Sequence, residues 1–299
     1  PLRRQRQMCI RDSPLKAPGR GRGILDAVKN RYLLRLLVDK EIQVRYRGSV
    51  LGILWSYIKP GVQFLVFYIA MGMFLGLERG MHNYAVYLFS GMIAINFFSE
   101  GFGNGARAMV VNSALIRKIY LPRELFSLST VWVALVHFVP QIAVMLLACF
   151  LVGWSPTFLA FGSILAGMLI VMMLSYGLGL IFGVANVFFR DSENIVDMLL
   201  MVATWFSPVL YSWTMVRDTL YPWVFNVFML NPLTVAVELF HYGFWHPTLR
   251  PEDLALPASQ VVPHLFSFWT PIALGISLLT VLIGDLLFRK FEGNFAQEL

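Results

Sequence analysis

The chain has 299 residues, 58% of them hydrophobic and 14% charged, with a net charge of +7 and two cysteines, Cys9 and Cys149. Soluble domains carry roughly a quarter charged residues, so a soluble globule is excluded, and long uncharged apolar runs exclude disorder, collagen and coiled coil. Two cysteines frame neither a disulfide scaffold nor a thiolate zinc site.

The basic excess does not point to nucleic acid. Thirteen of the 24 Lys and Arg precede Gly48, ahead of the first long apolar run, as in a cytoplasmic tail facing anionic lipid headgroups. Residues 1–23 are poor in apolar side chains and are expected to be a disordered tail, in which MCIRDS (8–13) looks like a sequence-assembly artefact. They lack the apolar core and small-residue cleavage site of a signal peptide. Residues 24–50 read as an amphipathic interfacial helix, with Leu34, Leu37, Val38 and Ile42 on one side and Lys40, Glu41, Arg45 and Arg47 among its polar positions.

The rest, 51–299, is predicted to be an all-α integral membrane domain of six spans, at 54–77, 84–105, 130–153, 158–189, 195–215 and 268–288. The stretch 216–267 is broken by Pro222, Pro232, Pro247, Pro251, Pro257 and Pro263 and predicts short re-entrant or interfacial helices. With the amino terminus inside, Arg107, Arg117, Lys118, Arg123, Arg190, Arg289 and Lys290 join the thirteen early charges on the cytoplasmic side. Only Arg79, Arg217 and Arg250 fall outside, so both termini are expected in the cytoplasm of a bacterial inner or plasma membrane.

Catalytic signatures are scarce: the sequence has no Walker A motif, HExxH or GxSxG. Gly101, Gly103 and Ala106 fit a dinucleotide-binding pattern, but no strand precedes them. Gly72 with Gly76, and Gly179 with Gly183, have the spacing of close helix packing. Glu100, His137, Asp197 and Asp285 fall one to a span and are read as scattered, with structural roles. Asn231, Pro232 and Glu238 are read as structural caps. No metal ligand set and no catalytic residue is assigned. The loop 112–127 alternates basic residues with apolar Leu115, Ile116, Ile119 and Tyr120, which either a partner protein or the membrane interface would cover.

Five blocks, VRYRGSVLGILWSYIKP (44–60), LIRKIYLPRE (115–124), NVFFRDSENIV (186–196), SPVLY (207–211) and LNPLTVAVELF (230–240), occur in an order similar to that of the ABC-2 membrane subunits of polysaccharide exporters. The resemblance runs from about residue 38 to the carboxyl terminus. It implies a permease homodimer paired with two copies of a separate nucleotide-binding ATPase subunit, which would hold ATP and Mg; no cofactor is then expected on this chain. It implies a coupling helix at 113–124, with Leu115, Ile116, Arg117, Lys118, Tyr120, Pro122, Arg123 and Glu124 as the ATPase-coupling set. It also implies a substrate: an undecaprenyl-diphosphate-linked glycan, such as an O-antigen, a teichoic acid or a galactan. FHYGFWHPT (240–248) resembles actinobacterial members and leans toward galactan.

For such cargo, Arg45, Arg47 and Lys59 are the candidate access point for the lipid diphosphate, with headgroup anchoring as the alternative. Sugars stack their C–H faces on aromatic rings, which makes Tyr57, Phe64, Phe67, Tyr68, Phe97, Phe98, Trp205, Phe206 and Tyr211 the candidate glycan channel. The alternative is that these rings face lipid or sit in interfacial belts. Gln63 and Asn96 suggest a hydrated path. An exporter of drugs or simple lipids is the first rival. A membrane-embedded glycosyl- or acyltransferase is another, and would need a clustered acidic or His pair that the sequence does not display.

Overall fold

The protein was analysed as a computed structural model, which describes residues 30–118 and 121–299. Its regular secondary structure among those residues is all helical, as the sequence predicts. The tail 1–23 and the first residues of the interfacial helix, 24–29, lie outside the described residues. The interfacial helix is α1 (Arg31–Tyr46). Its Leu37 is buried, and the helix packs against α5 (Glu124–Leu151).

The first span is irregular. A short 3-10 turn, Gly52–Leu54, leads into α2 (Trp55–Phe67), which contains Pro60 and continues as a π-helical segment, Tyr68–Phe74. Proline lacks an N–H and leaves the carbonyl four residues earlier without its helical donor, which weakens the helix from within. No residue of α2 is buried. Gly76 follows in the left-handed conformation, φ 72°, as a turn and not as a helix contact.

The second and third spans are α3 (Tyr84–Val111) and α5, joined by the short α4 (Ser113–Lys118). The fourth span is α6 (Phe158–Phe188), started by the Thr157 side chain, which accepts from the Ala160 N–H. α3 packs on both α5 and α6, and α6 packs on α11 (Thr270–Phe291), so α3 and α6 form the centre of the bundle. Two contacts explain how closely they approach. A Cβ on Gly105 would lie 3.2 Å from the Gly179 Cα, and one on Gly177 would lie 2.6 Å from the Thr280 backbone. The Gly179 and Gly183 spacing is thus a true helix-packing face, while Gly72 meets the Tyr84 ring.

The predicted fifth span is corrected. α7 (Ser192–Phe206) has 15 residues and rises about 22 Å, short of the ~30 Å hydrocarbon core. It ends because Pro208 forces Ser207 into an extended conformation, ψ 146°. The chain then makes α8 (Trp213–Thr219), α9 (Pro222–Met229) and α10 (Pro232–Phe240). Among the described residues five helices are long and apolar enough to cross a membrane. A sixth candidate arises if Pro222–Met229 and Pro232–Thr248, bent by 80°, form one broken or re-entrant span. This matches the re-entrant character expected for 216–267. Asn231 caps α10 by accepting from the Leu233 N–H, with Pro232 at the first helical position. Glu238 is not a cap: it is buried and lies 3.5 Å from the His241 ring. The last span, Leu265–Asn294, contains α11, and a final turn, α12 (Phe295–Glu298), packs beside α4.

Candidate functional site

Four elements converge on a polar cavity of about 690 Å³. The end of α1 supplies Arg45 and Tyr46, and the turn after it supplies Ser49, whose Oγ accepts from the Gly52 N–H. α2 contributes Ser56, Lys59, Pro60 and Gln63, and α3 contributes Asn96, Ser99, Glu100 and Asn104. His137 and Gln141 come from α5. Within α2, α3 and α5 the polar positions repeat at three to four residues, so each of these helices presents one polar face.

A hydrogen-bonded chain closes the cavity across all four of these elements. Glu100 Oε1 accepts from Arg45 Nη1 and from His137 Nδ1, the latter at 2.6 Å. His137 Nε2 lies 3.0 Å from the Tyr46 hydroxyl, which also bonds Ser56 Oγ. In the neutral imidazole, Nδ1 then carries the proton toward Glu100 while Nε2 accepts from Tyr46. His137 is 4% exposed and the Glu100 side chain 19%, so a charge here is held by its partners and not by water.

Beyond Pro60 and Gln141, which line both spaces, a second cavity of about 240 Å³ is apolar and lined by Tyr57, Phe64, Val86, Phe89, Val144 and Met145, among others. A charged polar chamber and an apolar one thus share a wall at Pro60 and Gln141. Glu41, on the same interfacial helix, has its carboxyl pushed above the ordinary range, mainly by burial; Lys40, Asn112 and Arg45 pull it back. Lys40 Nζ also donates to Asn112 Oδ1, tying α1 to the end of α3.

The family profile for ABC-2 type transporters matches residues 32–245, which includes every residue of this cavity. The chain belongs to the ABC-2 type transporter family. It is therefore a multi-pass membrane component of a transporter, not an enzyme, and membership implies pairing with an ATPase subunit. Among curated proteins it is similar to an O-antigen export system permease protein RfbA of Klebsiella pneumoniae, 27% identical and covering 89% of this chain and 95% of the relative. The RfbA of Myxococcus xanthus is 29% identical over 78% of this chain and 88% of its own length. The polysialic acid transport protein KpsM of Escherichia coli is 23% identical over 67% of this chain and 76% of its own.

In this ABC-2 chain the predicted access residues separate. Arg45 and Lys59 line the polar cavity together with Gln63 and Asn96; Arg47 is exposed at the end of α1 and does not line it. The aromatic set divides as well. Tyr57 and Phe64 line the apolar cavity, and Phe67 packs half-buried against the core. Tyr68 stacks on Phe64 and Tyr84 and borders a third cavity of about 430 Å³. Phe97 and Phe98 are both buried inside the chain, against Phe138 and Phe102. Trp205 and Phe206 are exposed on α7, and Tyr211 is half-buried with its hydroxyl donated to the Trp205 carbonyl.

The coupling segment is only partly presented. Arg117 and Lys118 are exposed and Leu115 is half-buried, while Tyr120 and Ile119 lie outside the described residues. Ile116 is buried, in contrast to the exposed position expected for it. Pro122 and Arg123 are half-buried, and Arg123 lies over the Phe295 ring at 5.7 Å. Glu124 is fully buried in the first turn of α5, so it is not a docking residue.

The reading of the ionisable residues as scattered is also corrected. Glu100 and His137 meet in the cavity, Asp197 pairs with Arg107 at 2.5 Å, and Asp285 pairs with Arg289 at 2.6 Å. The clustered acid and His pair missing from the sequence reading therefore exists, in a transport component. Ser56 and Gln141 were not foreseen; their signal was their place on the polar faces of α2 and α5.

Proposed function

We propose that this chain is the permease of an exporter that moves an undecaprenyl-diphosphate-linked cell-envelope polysaccharide from the cytoplasmic to the outer face. ATP is hydrolysed on a separate subunit, and two permeases pair to enclose the path. The observation that carries this reading is that the polar cavity, with Arg45 and Lys59, lies next to the apolar cavity beside Tyr57 and Phe64, the two sharing Pro60 and Gln141 as lining. A diphosphate seats on the two cations while the first isoprene units lie against the apolar wall. The similarity to permeases of O-antigen export and polysialic acid transport supports a polysaccharide as cargo.

No bond is made or broken on this chain in this scheme. The exposed Arg117 and Lys118 meet the ATPase, and nucleotide-driven movement of 113–124 is passed directly to α3 and α5, which that segment joins. The strong excess of Lys and Arg on one side sets the orientation, with both termini in the cytoplasm of the inner or plasma membrane. The test is export in a strain whose own permease is deleted and replaced by this chain with its ATPase. Arg45→Gln with Lys59→Gln is expected to lower surface polysaccharide by tenfold or more, with undiminished permease–ATPase complex in the membrane. Normal export by that double variant defeats the reading.

A further inference from the structure

We infer that Glu100 is an internal stand-in for the substrate's anionic headgroup: it holds Arg45 while the cavity is empty, and a diphosphate displaces it. This rests on the lipid-diphosphate reading above and adds to it the residue that decides which anions are accepted. Arg45 donates to a carboxylate from α3, so its guanidinium is already satisfied in the described state. Lys59, lining the same cavity, has no ion-pair partner among the described residues. An arriving anion therefore meets one free cation and one that must be won from Glu100.

The displacement is practicable because Glu100 has a second partner. A buried carboxylate stripped of its only counter-group is strongly unfavourable. Here the His137 Nδ1–H remains at 2.6 Å when Arg45 leaves. The exchange also reports to the interfacial helix. Arg45 and Tyr46 are the last residues of α1 or adjacent to its end, and both reach the Glu100–His137 pair. Moving Arg45 onto a phosphate releases one of the two bonds that hold the end of α1 to the α3–α5 pair.

Glu100 then acts as a positioning and selectivity residue. A carboxylate inside the cavity disfavours every anion, and the cost is recovered only by a headgroup with enough charge and oxygens to satisfy the Arg45 fork and Lys59 together. A diphosphate meets that condition; a phosphodiester with one negative charge does not. Membrane phosphatidylglycerol is thus kept out of a site built from cations.

The experiment uses the purified permease–ATPase complex in phosphatidylcholine nanodiscs, with undecaprenyl diphosphate and phosphatidylglycerol as probes and lipid-stimulated ATPase activity as the readout. Glu100→Gln is expected to lower the half-saturating concentration of undecaprenyl diphosphate by roughly 3- to 10-fold, since the competent state no longer has to be won from the ion pair. It should also let phosphatidylglycerol compete, while Glu100→Asp stays near wild type. Half-saturation that is unchanged or raised in an assembled Glu100→Gln complex overturns the proposal. Arg45→Gln separates the two readings: if it leaves half-saturation unaltered, the headgroup does not sit at Arg45 and the access reading itself fails. Should Glu100→Gln not assemble, the exchanged pair Arg45→Glu with Glu100→Arg keeps the attachment of α1. That complex should assemble and show no lipid stimulation; retained stimulation overturns the proposal.

Discussion

Span one and span two lie side by side, yet they are built on opposite principles. α3 is buried along most of its length and meets α6 through glycine-to-backbone contacts, while α2 has no buried residue, contains a proline and passes into a π-helical segment. Backbone contacts at this range have a single arrangement, because interiors packed to crystal density do not deform smoothly. The α1–α2 side adds to its apolar contacts at Leu37, Phe64 and Phe67 a set of side-chain polar bonds, such as Arg45 to Glu100 and Lys40 to Asn112, which can be exchanged for others. The rigid unit thus supplies one wall of the cavity and the exchangeable unit the other, which is the arrangement a transported amphiphile requires.

The sharpest way to break that comparison is at Gly177. A Cβ there would sit 2.6 Å from the Thr280 and Val281 backbone, whereas Gly162 on the same helix has nothing within 4 Å. Gly177→Leu is expected to cost on the order of 3 kcal/mol through overpacking and to abolish recovery of monodisperse permease. Gly162→Leu should be recovered like wild type on size-exclusion chromatography. Equal recovery of the two variants would mean that the α6–α11 crossing is not rigid.

A smaller effect is expected at the coupling segment, where function can be lost without loss of fold. Replacing the exposed Arg117 and Lys118, together with Tyr120, by Ala removes the cations that steer and seat a partner surface. Permease-stimulated ATP turnover should fall by about tenfold, about 1.4 kcal/mol, while the thermal midpoint of the permease alone stays within about 2 °C of wild type. A midpoint that falls with turnover would place these side chains in the permease's own packing.

Much of this organisation was legible in the residues. Hydropathy gave five of the spans to within a few residues at most of their ends, and the prolines announced the broken region 216–267. Two things were hidden for physical reasons. Period reveals the polar face of a helix, Asn96, Glu100 and Asn104 on α3 or His137 and Gln141 on α5, but not which face of another helix it meets. The apolar run through Ser207 and Pro208 reads as continuous membrane, although backbone geometry ends α7 there. Ile116 and Glu124 looked available for docking because chain-distant packing, with α12 set against α4, is invisible locally.

In the proline-broken region, Asn231 tests whether the bend before α10 is fixed by its cap. Its side chain accepts from the Leu233 N–H at 3.1 Å, satisfying a donor the helix leaves free. Asn231→Ala should cost about 1 kcal/mol, seen as a fall of a few degrees in the thermal midpoint in detergent, and Asn231→Asp should recover it. A midpoint equal to wild type would mean that the bend is set by Pro232 alone.

The smallest effect belongs to the exchangeable side. The Glu41 carboxyl is raised above its ordinary value of 4.5 by burial, so the folded state holds its proton more tightly than the unfolded chain. Its contribution to stability is fully present below that ordinary value and is lost as pH rises through the raised one, after which it is flat. Glu41→Gln removes both the titration and the burial penalty on the charge. Its thermal midpoint should exceed wild type by about 1–2 °C at pH 7. The gap should close as pH falls toward 4.5. A gap that persists unchanged at low pH would mean that Glu41 acts through its shape and contacts and not through its charge, and would remove α1 from the pH response of the protein.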